Sequence, residues 1–149
     1  MVTKVESVLE TKKLHEIVSV RPETSVIEAL EIMEKYGVGA LLVMEDGILR
    51  GIFSERDYAR KGIIKGRKAK TTPMSEVMTA NVITVGIKDT TKECMELMDL
   101  KGIRHLPVVD EDRNVVGVLS IRDIVNSLIK EQRQHINFLE NYISGSVAG

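Results

Sequence analysis

Two short runs in this chain carry the same residue types at the same spacing: Ser54-Glu55-Arg56-Asp57 and Ser120-Ile121-Arg122-Asp123. A serine followed three residues later by an acid is a helix-start pattern, in which the two side chains satisfy backbone N–H groups of the first turn. The pattern has a second use. A helix N-terminus gathers unpaired N–H groups and a partial positive charge, which suits a phosphate. A serine hydroxyl there can donate to it, and Arg56 and Arg122 are candidates to clamp its oxygens. An aspartate one turn along can accept both hydroxyls of a vicinal diol, as an acid does for ribose in dinucleotide folds. Capping holds in either case. The duplicate spacing favours a binding role in addition.

Nothing comparable supports catalysis. His15, His105 and His135 are scattered without metal-ligand spacing. There is no Walker A or G-x-S-x-G motif, and Asp57 and Asp123 have no evident general-acid partner. The chain therefore reads as a non-enzyme without a metal. Cys94 is its single cysteine, which excludes an intramolecular disulfide and fits a reducing cytoplasm. A net charge of −1, 3% aromatic residues and no tryptophan argue against nucleic acid as a partner. The start lacks the apolar core of a signal peptide, and no apolar run reaches the roughly 20 residues of a membrane helix. These features predict a cytoplasmic protein that does not engage a membrane.

The elements that must position the two runs are themselves duplicated. Val18 to Asp46 aligns without gaps with Ile83 to Glu111 at an offset of 65, and one residue enters at the following turn. Gly51, Ser54, Arg56 and Asp57 then match Gly117, Ser120, Arg122 and Asp123 at an offset of 66. Each copy begins with a short strand, Val18 to Val20 or Ile83 to Val85. Helix starts follow at Ser25/Glu28 and Thr90/Glu93, and Gly37 and Gly102 stand where a left-handed residue would stop each helix. The runs GVGALLVM and GIRHLPVVD predict buried strands. Second strands follow at Ile48 to Phe53 and Val115 to Leu119, and Ser54 and Ser120 open the last helices. The fold class is α/β (α+β), with two β-α-β-β-α repeats.

The chain divides accordingly. Residues 1–17 lead into repeat one (18–66), 67–82 form a basic linker and a short helix, 83–130 form repeat two, and 131–149 are a helical tail. Thr72-Pro73 predicts an N-cap with proline at the first helical position, and Val2 to Leu9 is the counterpart of that short helix. The tail carries Ile136, Leu139, Tyr142 and Ile143 on an apolar side that needs a partner. Cys94 aligns with Ala29 on a helix core face, which predicts a small buried hydrophobe.

The glycine-led strands, together with the closing GIFSERD and GVLSIRD, resemble the CBS domain, named after cystathionine β-synthase. Two copies in tandem resemble a Bateman module over about residues 9 to 130, of the small stand-alone type. The resemblance implies a pseudo-twofold pair with two clefts for adenosine-containing ligands: AMP, ADP, ATP, NAD or S-adenosylmethionine. It implies that Asp57 and Asp123 take ribose, and that Ser54 and Ser120 take phosphate. Adenine would lie near Val18, Val20, Val38, Ile83, Val85 and Ile103, with Thr84 a polar interruption equivalent to Ser19. For each of these apolar residues, ordinary core is the simpler reading. Arg104 and His105 lie on the strand edge that the family turns toward phosphate, where copy one has only Gly39 and Ala40. The second cleft is therefore expected to be the stronger phosphate site. The expected function is regulatory: the ligand changes a homodimer and, through it, a protein partner that the sequence does not name. The competing reading is a dimerisation or interaction module with no physiological nucleotide.

Overall fold

The computed structural model describes residues 2–12 and 17–148. Helix α1 spans Val5–Thr11. The first repeat follows as β1 (Ser19–Val20), α2 (Val26–Tyr36), β2 (Ala40–Glu45), β3 (Ile48–Ser54) and α3 (Glu55–Asp57). A short helix α4 (Met74–Val77) precedes the second repeat: β4 (Val85–Gly86), α5 (Thr91–Lys101), β5 (His105–Val109), β6 (Val115–Ser120) and α6 (Ile121–Ala148). Each repeat folds a three-stranded sheet, in order β1-β2-β3 and β4-β5-β6. The first pair of each sheet is parallel and the second antiparallel. The ladders repeat down to their irregularities, which fall at Val43/Met44 and at the equivalent Val108/Val109.

Local chemistry explains the boundaries. Ser25 and Thr90 accept hydrogen bonds from the backbone N–H of Glu28 and Glu93, and so start α2 and α5. Gly37 and Gly102 both sit at φ +64°, where a side chain would be strained, and end those helices. The two cores repeat as well. Val20, Ala29, Met33, Leu41, Val43 and Phe53 fill one. Val85, Cys94, Met98, Leu106, Val108 and Leu119 fill the other.

The short helices close the cores crosswise. Val5 and Val8 of α1 are buried in the core of the second repeat, and Val5 N–H donates to the Asp89 carbonyl. Met74 and Val77 of α4 are buried in the core of the first, and Met74 N–H donates to the Thr24 carbonyl. Isolated bridges join Lys4 to Thr90 and Pro73 to Ser25. Since Ser25 and Thr90 are aligned, these bridges are equivalents under a pseudo-twofold.

Two details differ from the sequence expectations. Pro73 is itself the N-cap of α4 and has no side-chain cap, because Thr72 is buried and its carbonyl accepts from Val26 N–H at the start of α2. The closing helix of repeat one keeps α geometry only through Asp57, then widens to a π-helix over Tyr58–Ile63. Gly62 permits this, because the Tyr58 ring lies where a Cβ would stand 3.0 Å from it. The helical tail extends the last helix of repeat two: α6 runs unbroken for 28 residues, about 42 Å at 1.5 Å per residue.

Candidate functional site

The Ser-x-x-Asp runs fold as reciprocal caps. In the first repeat, Ser54 N–H donates to Asp57 Oδ2 at 2.9 Å, and Asp57 N–H donates to Ser54 Oγ at 3.3 Å. In the second, Ser120 N–H donates to Asp123 Oδ2 at 2.9 Å, and Asp123 N–H donates to Ser120 Oγ at 3.1 Å. The strand thus ends and the helix begins on the same two residues, which fixes both carboxylates relative to the sheet. Both are sheltered, with side-chain exposures of 16% for Asp57 and 17% for Asp123.

Each carboxylate also holds a lysine that the sequence reasoning missed. Lys61 stands 3.6 Å from Asp57 Oδ1, and its ammonium donates to the Met78 carbonyl and to Thr79 Oγ1. Thr79 in turn donates to Asp57 Oδ1 at 3.1 Å. Lys12, just past α1, lies 3.0 Å from Asp123 Oδ2 and donates to the Val118 carbonyl at 2.6 Å. Lys61 was findable, since it follows Asp57 by one helical turn. Lys12 was not, because only the crossing of α1 brings it to Asp123. The two sites differ in what remains open. Both oxygens of Asp57 are engaged, whereas Oδ1 of Asp123 has no hydrogen-bond partner among the described residues.

The remaining candidates separate into groups. An open groove of about 660 Å³ lies along α5 and the start of α6 and brings Arg56, Ile103 and Arg104 together with Lys92, Glu96 and Asp99. Arg56 crosses between repeats: its guanidinium donates to the Gly102 carbonyl at 2.9 Å, so in this state it caps the end of α5. A smaller groove of about 240 Å³ takes in Val18, Ser19 and Tyr36. Neither groove includes Asp57 or Asp123. Val20 and Val85 are core side chains. Val38, Ile83 and Ile103 are half-buried, and Thr84 and Arg122 are exposed.

Arg104 is exposed and His105 half-buried. The His105 ring meets the first repeat at Gly39, where a Cβ would lie 3.5 Å from Nε2. Burial, followed by the nearby Lys12, pulls the His105 pKa below the usual histidine value, against the opposing pull of Asp123. The shift favours the neutral ring, so Arg104 is the permanent charge on this strand. Cys94 is fully buried, and burial pushes its thiol up to about 11, as expected of a structural hydrophobe. His15 lies outside the described residues. Among the described residues, no group of three His, Cys, Asp or Glu side chains could hold a metal, and no helix is long and apolar enough to cross a membrane.

Known proteins resemble this chain in sequence and fold. A plant CBS domain-containing protein, the mitochondrial CBSX3 of Arabidopsis thaliana, is 38% identical over 128 residues, covering 83% of this chain and 62% of that protein. The CBS domain-containing protein YhcV of Bacillus subtilis is 33% identical over 117 residues, covering 78% of this chain and 82% of its own. A solved CBS-domain protein from Burkholderia ambifaria superposes with a TM-score of 0.84 at 40% identity, over 87% of this chain and 96% of that one. The CBS domain pair of protein MJ0100, solved with 5′-methylthioadenosine and S-adenosyl-L-methionine, superposes with a TM-score of 0.77 at 28% identity, over 88% of this chain and 99% of that one. The CBS domain pattern itself matches residues 5–63 and again 74–130, so this chain belongs to the CBS domain family, as a tandem pair.

Proposed function

We propose that this protein is a regulatory module that binds an adenine nucleotide (AMP, ADP, ATP or NAD) without turning it over. The observation that carries the reading is the pair of equivalent Ser-x-x-Asp caps, each presenting a sheltered carboxylate at a helix start. The adenosine ligands of the MJ0100 pair support the ligand class. Asp57 and Asp123 accept the ribose hydroxyls, Ser54 and Ser120 face the phosphates, and Arg56, Arg104 and Arg122 answer phosphate charge. The second site is the stronger, because Asp123 keeps an oxygen available and the same repeat adds an exposed arginine, Arg104, where the first has Gly39. The module acts as a cytoplasmic homodimer, and ligand-dependent change in that dimer is read by a protein partner.

One observation favours the competing reading of an interaction module without nucleotide: Lys12 and Lys61 already pair with the two carboxylates. A thermal-shift panel separates the two. Ligand at a hundred times its dissociation constant stabilises a fold by about 2.7 kcal/mol. AMP, ADP, ATP or NAD should raise the melting temperature of the wild type, and Asp123→Ala should abolish most of the response. No response to any of the four at millimolar concentration refutes nucleotide binding, and hydrolysis in a clean preparation refutes the absence of turnover.

A further inference from the structure

Past Glu131, which receives a hydrogen bond from Thr3 Oγ1, α6 leaves the body of the protein. Every residue from Gln132 to Ser144 is exposed, although Ile136, Leu139 and Ile143 are apolar, with exposures of 50%, 44% and 61%. A helix of this length draws most of its stability from packing an apolar face, and past Glu131 no face is packed. The apolar positions also continue a line that begins inside the body. Val125, Ile129, Gln132, Ile136, Leu139 and Ile143 are spaced alternately four and three apart, which is the heptad seam of a coiled coil. Ile129, Ile136 and Ile143 fall at position a, and Val125, Gln132 and Leu139 at position d. Beyond residue 130 the CBS domain pattern no longer matches, so most of this seam lies outside what the family shares.

We propose that α6 pairs with α6 of a second copy in a parallel, two-stranded coiled coil. It deepens the homodimer of the preceding reading by assigning the surface, and it is independent of nucleotide. Three features select this occupant. Isoleucine fills all three a positions, and β-branched residues at a favour two parallel strands when leucine stands at d, as Leu139 does at one of the three d positions. Gln132 is the one polar residue in the seam; in a parallel, in-register pair it meets Gln132 of the second copy and the two amides bond. In an antiparallel pair a d residue faces an a residue, so Gln132 would meet an isoleucine and lose water without gaining a partner. The flanking positions agree: His135 at g faces Glu140 at e of the second copy, Leu128 lies against the stem of Arg133, and no like charges meet. A membrane surface fits poorly, because residues 131–144 carry only Glu131, Arg133 and Glu140 as full charges, with no basic cluster. Phe138 lies off the seam, and the pairing leaves it facing solvent.

The test uses the full chain. Sedimentation equilibrium at micromolar concentration should give twice the 16.6 kDa chain mass. Ile136→Lys combined with Leu139→Lys should weaken the dimer by roughly thirtyfold or more, the scale of a lost interface anchor, and Asn137→Lys on the outer face should not. Both lysines replace exposed residues, so the variant's unchanged melting temperature at monomeric dilution verifies that it folds. Gln132→Cys should form an intermolecular disulfide on mild oxidation, and Gln134→Cys should not; Cys94 is buried and does not interfere. A wild-type monomer overturns the proposal and the homodimer together. A dimer indifferent to the two lysines and not trapped through Gln132→Cys overturns the seam alone. Equal trapping through positions 132 and 134 overturns the parallel register. Nucleotide response, measured separately, bears on none of these outcomes.

Discussion

Gly51→Ala should destabilise the first repeat far more than its equivalent, Gly117→Ala, destabilises the second. A Cβ on Gly51 would stand 2.6 Å from Met78 Sδ, 3.0 Å from Met78 Cγ and 3.0 Å from the Thr79 carbonyl oxygen. The thioether can swing away, but the carbonyl cannot, because it accepts from Ile52 N–H at 3.0 Å while Thr79 N–H donates to the Ile52 carbonyl at 2.8 Å. The added methyl therefore separates β3 from the segment after α4 or breaks that two-bond bridge. Overpacking of this kind costs about 1–3 kcal/mol, which for a chain of this size lowers the melting temperature by about 2–12 °C. At Gly117 the nearest atom is Leu9 Cδ2 at 3.2 Å, and only that side chain is met. A leucine rotamer can give way, so the cost should stay below about 1 kcal/mol. Neither glycine has positive φ, so backbone strain does not enter. Calorimetry of the two variants decides; equal losses, or a larger loss at Gly117, would show that the backbone contact at Thr79 does not hold the α4 segment in place. Because Thr79 also donates to Asp57, Gly51→Ala should in addition weaken ligand response at the first site and spare the second.

Other expectations follow from single groups. Since the folded-state pKa of His105 is depressed by burial, the unfolded chain binds its proton more readily. Its contribution is intact above the usual histidine value of about 6.5 and is lost as pH falls below it. His105→Gln should flatten the loss of stability between neutral and acid pH, as read by urea denaturation; an unchanged slope refutes the assignment. Cys94, with its thiol held up to about 11, should react with a thiol reagent at pH 8 only on unfolding, and rapid modification of the native protein would contradict its burial. Asp57→Ala and Asp123→Ala each remove a helix cap worth about 0.5–2 kcal/mol, and urea titration should find both losses. A ligand-free protein indifferent to both would refute the capping geometry.

The elements most legible in the sequence were those fixed by a few neighbouring residues. The left-handed stops at Gly37 and Gly102, the caps at Ser25, Thr90, Ser54 and Ser120, and the burial of Cys94 at the position aligned with Ala29 all follow from spacing within one turn or one strand. The duplication supplied the rest of the order, because each assignment could be checked against its twin. What spacing could not reveal was destination. Val5, Val8, Met74 and Val77 announce apolar faces but not which core receives them, and the helices cross. The same crossing hid Lys12, whose partner Asp123 is distant in sequence. Arg56 was expected to answer phosphate and is engaged at the Gly102 carbonyl of the other repeat, a contact that exists only after the repeats pack. The widened turn after Asp57 depends on Tyr58 lying against Gly62, a packing detail with no composition signature.

The crossing of α1 and α4 also sets an order in time. During synthesis the first repeat has everything it needs once Val77 has emerged, since its own strands and α4 complete its core. The second repeat is built the other way round: Val5 and Val8 leave the ribosome first and wait for Leu119 and Ile124 to follow. At about 5–20 residues per second that wait lasts roughly 6–23 seconds. Through it a short apolar helix must stay unclaimed beside a newly folded neighbour whose matching surface α4 has occupied. The nascent chain thus makes the closing piece of the second repeat before the core it closes.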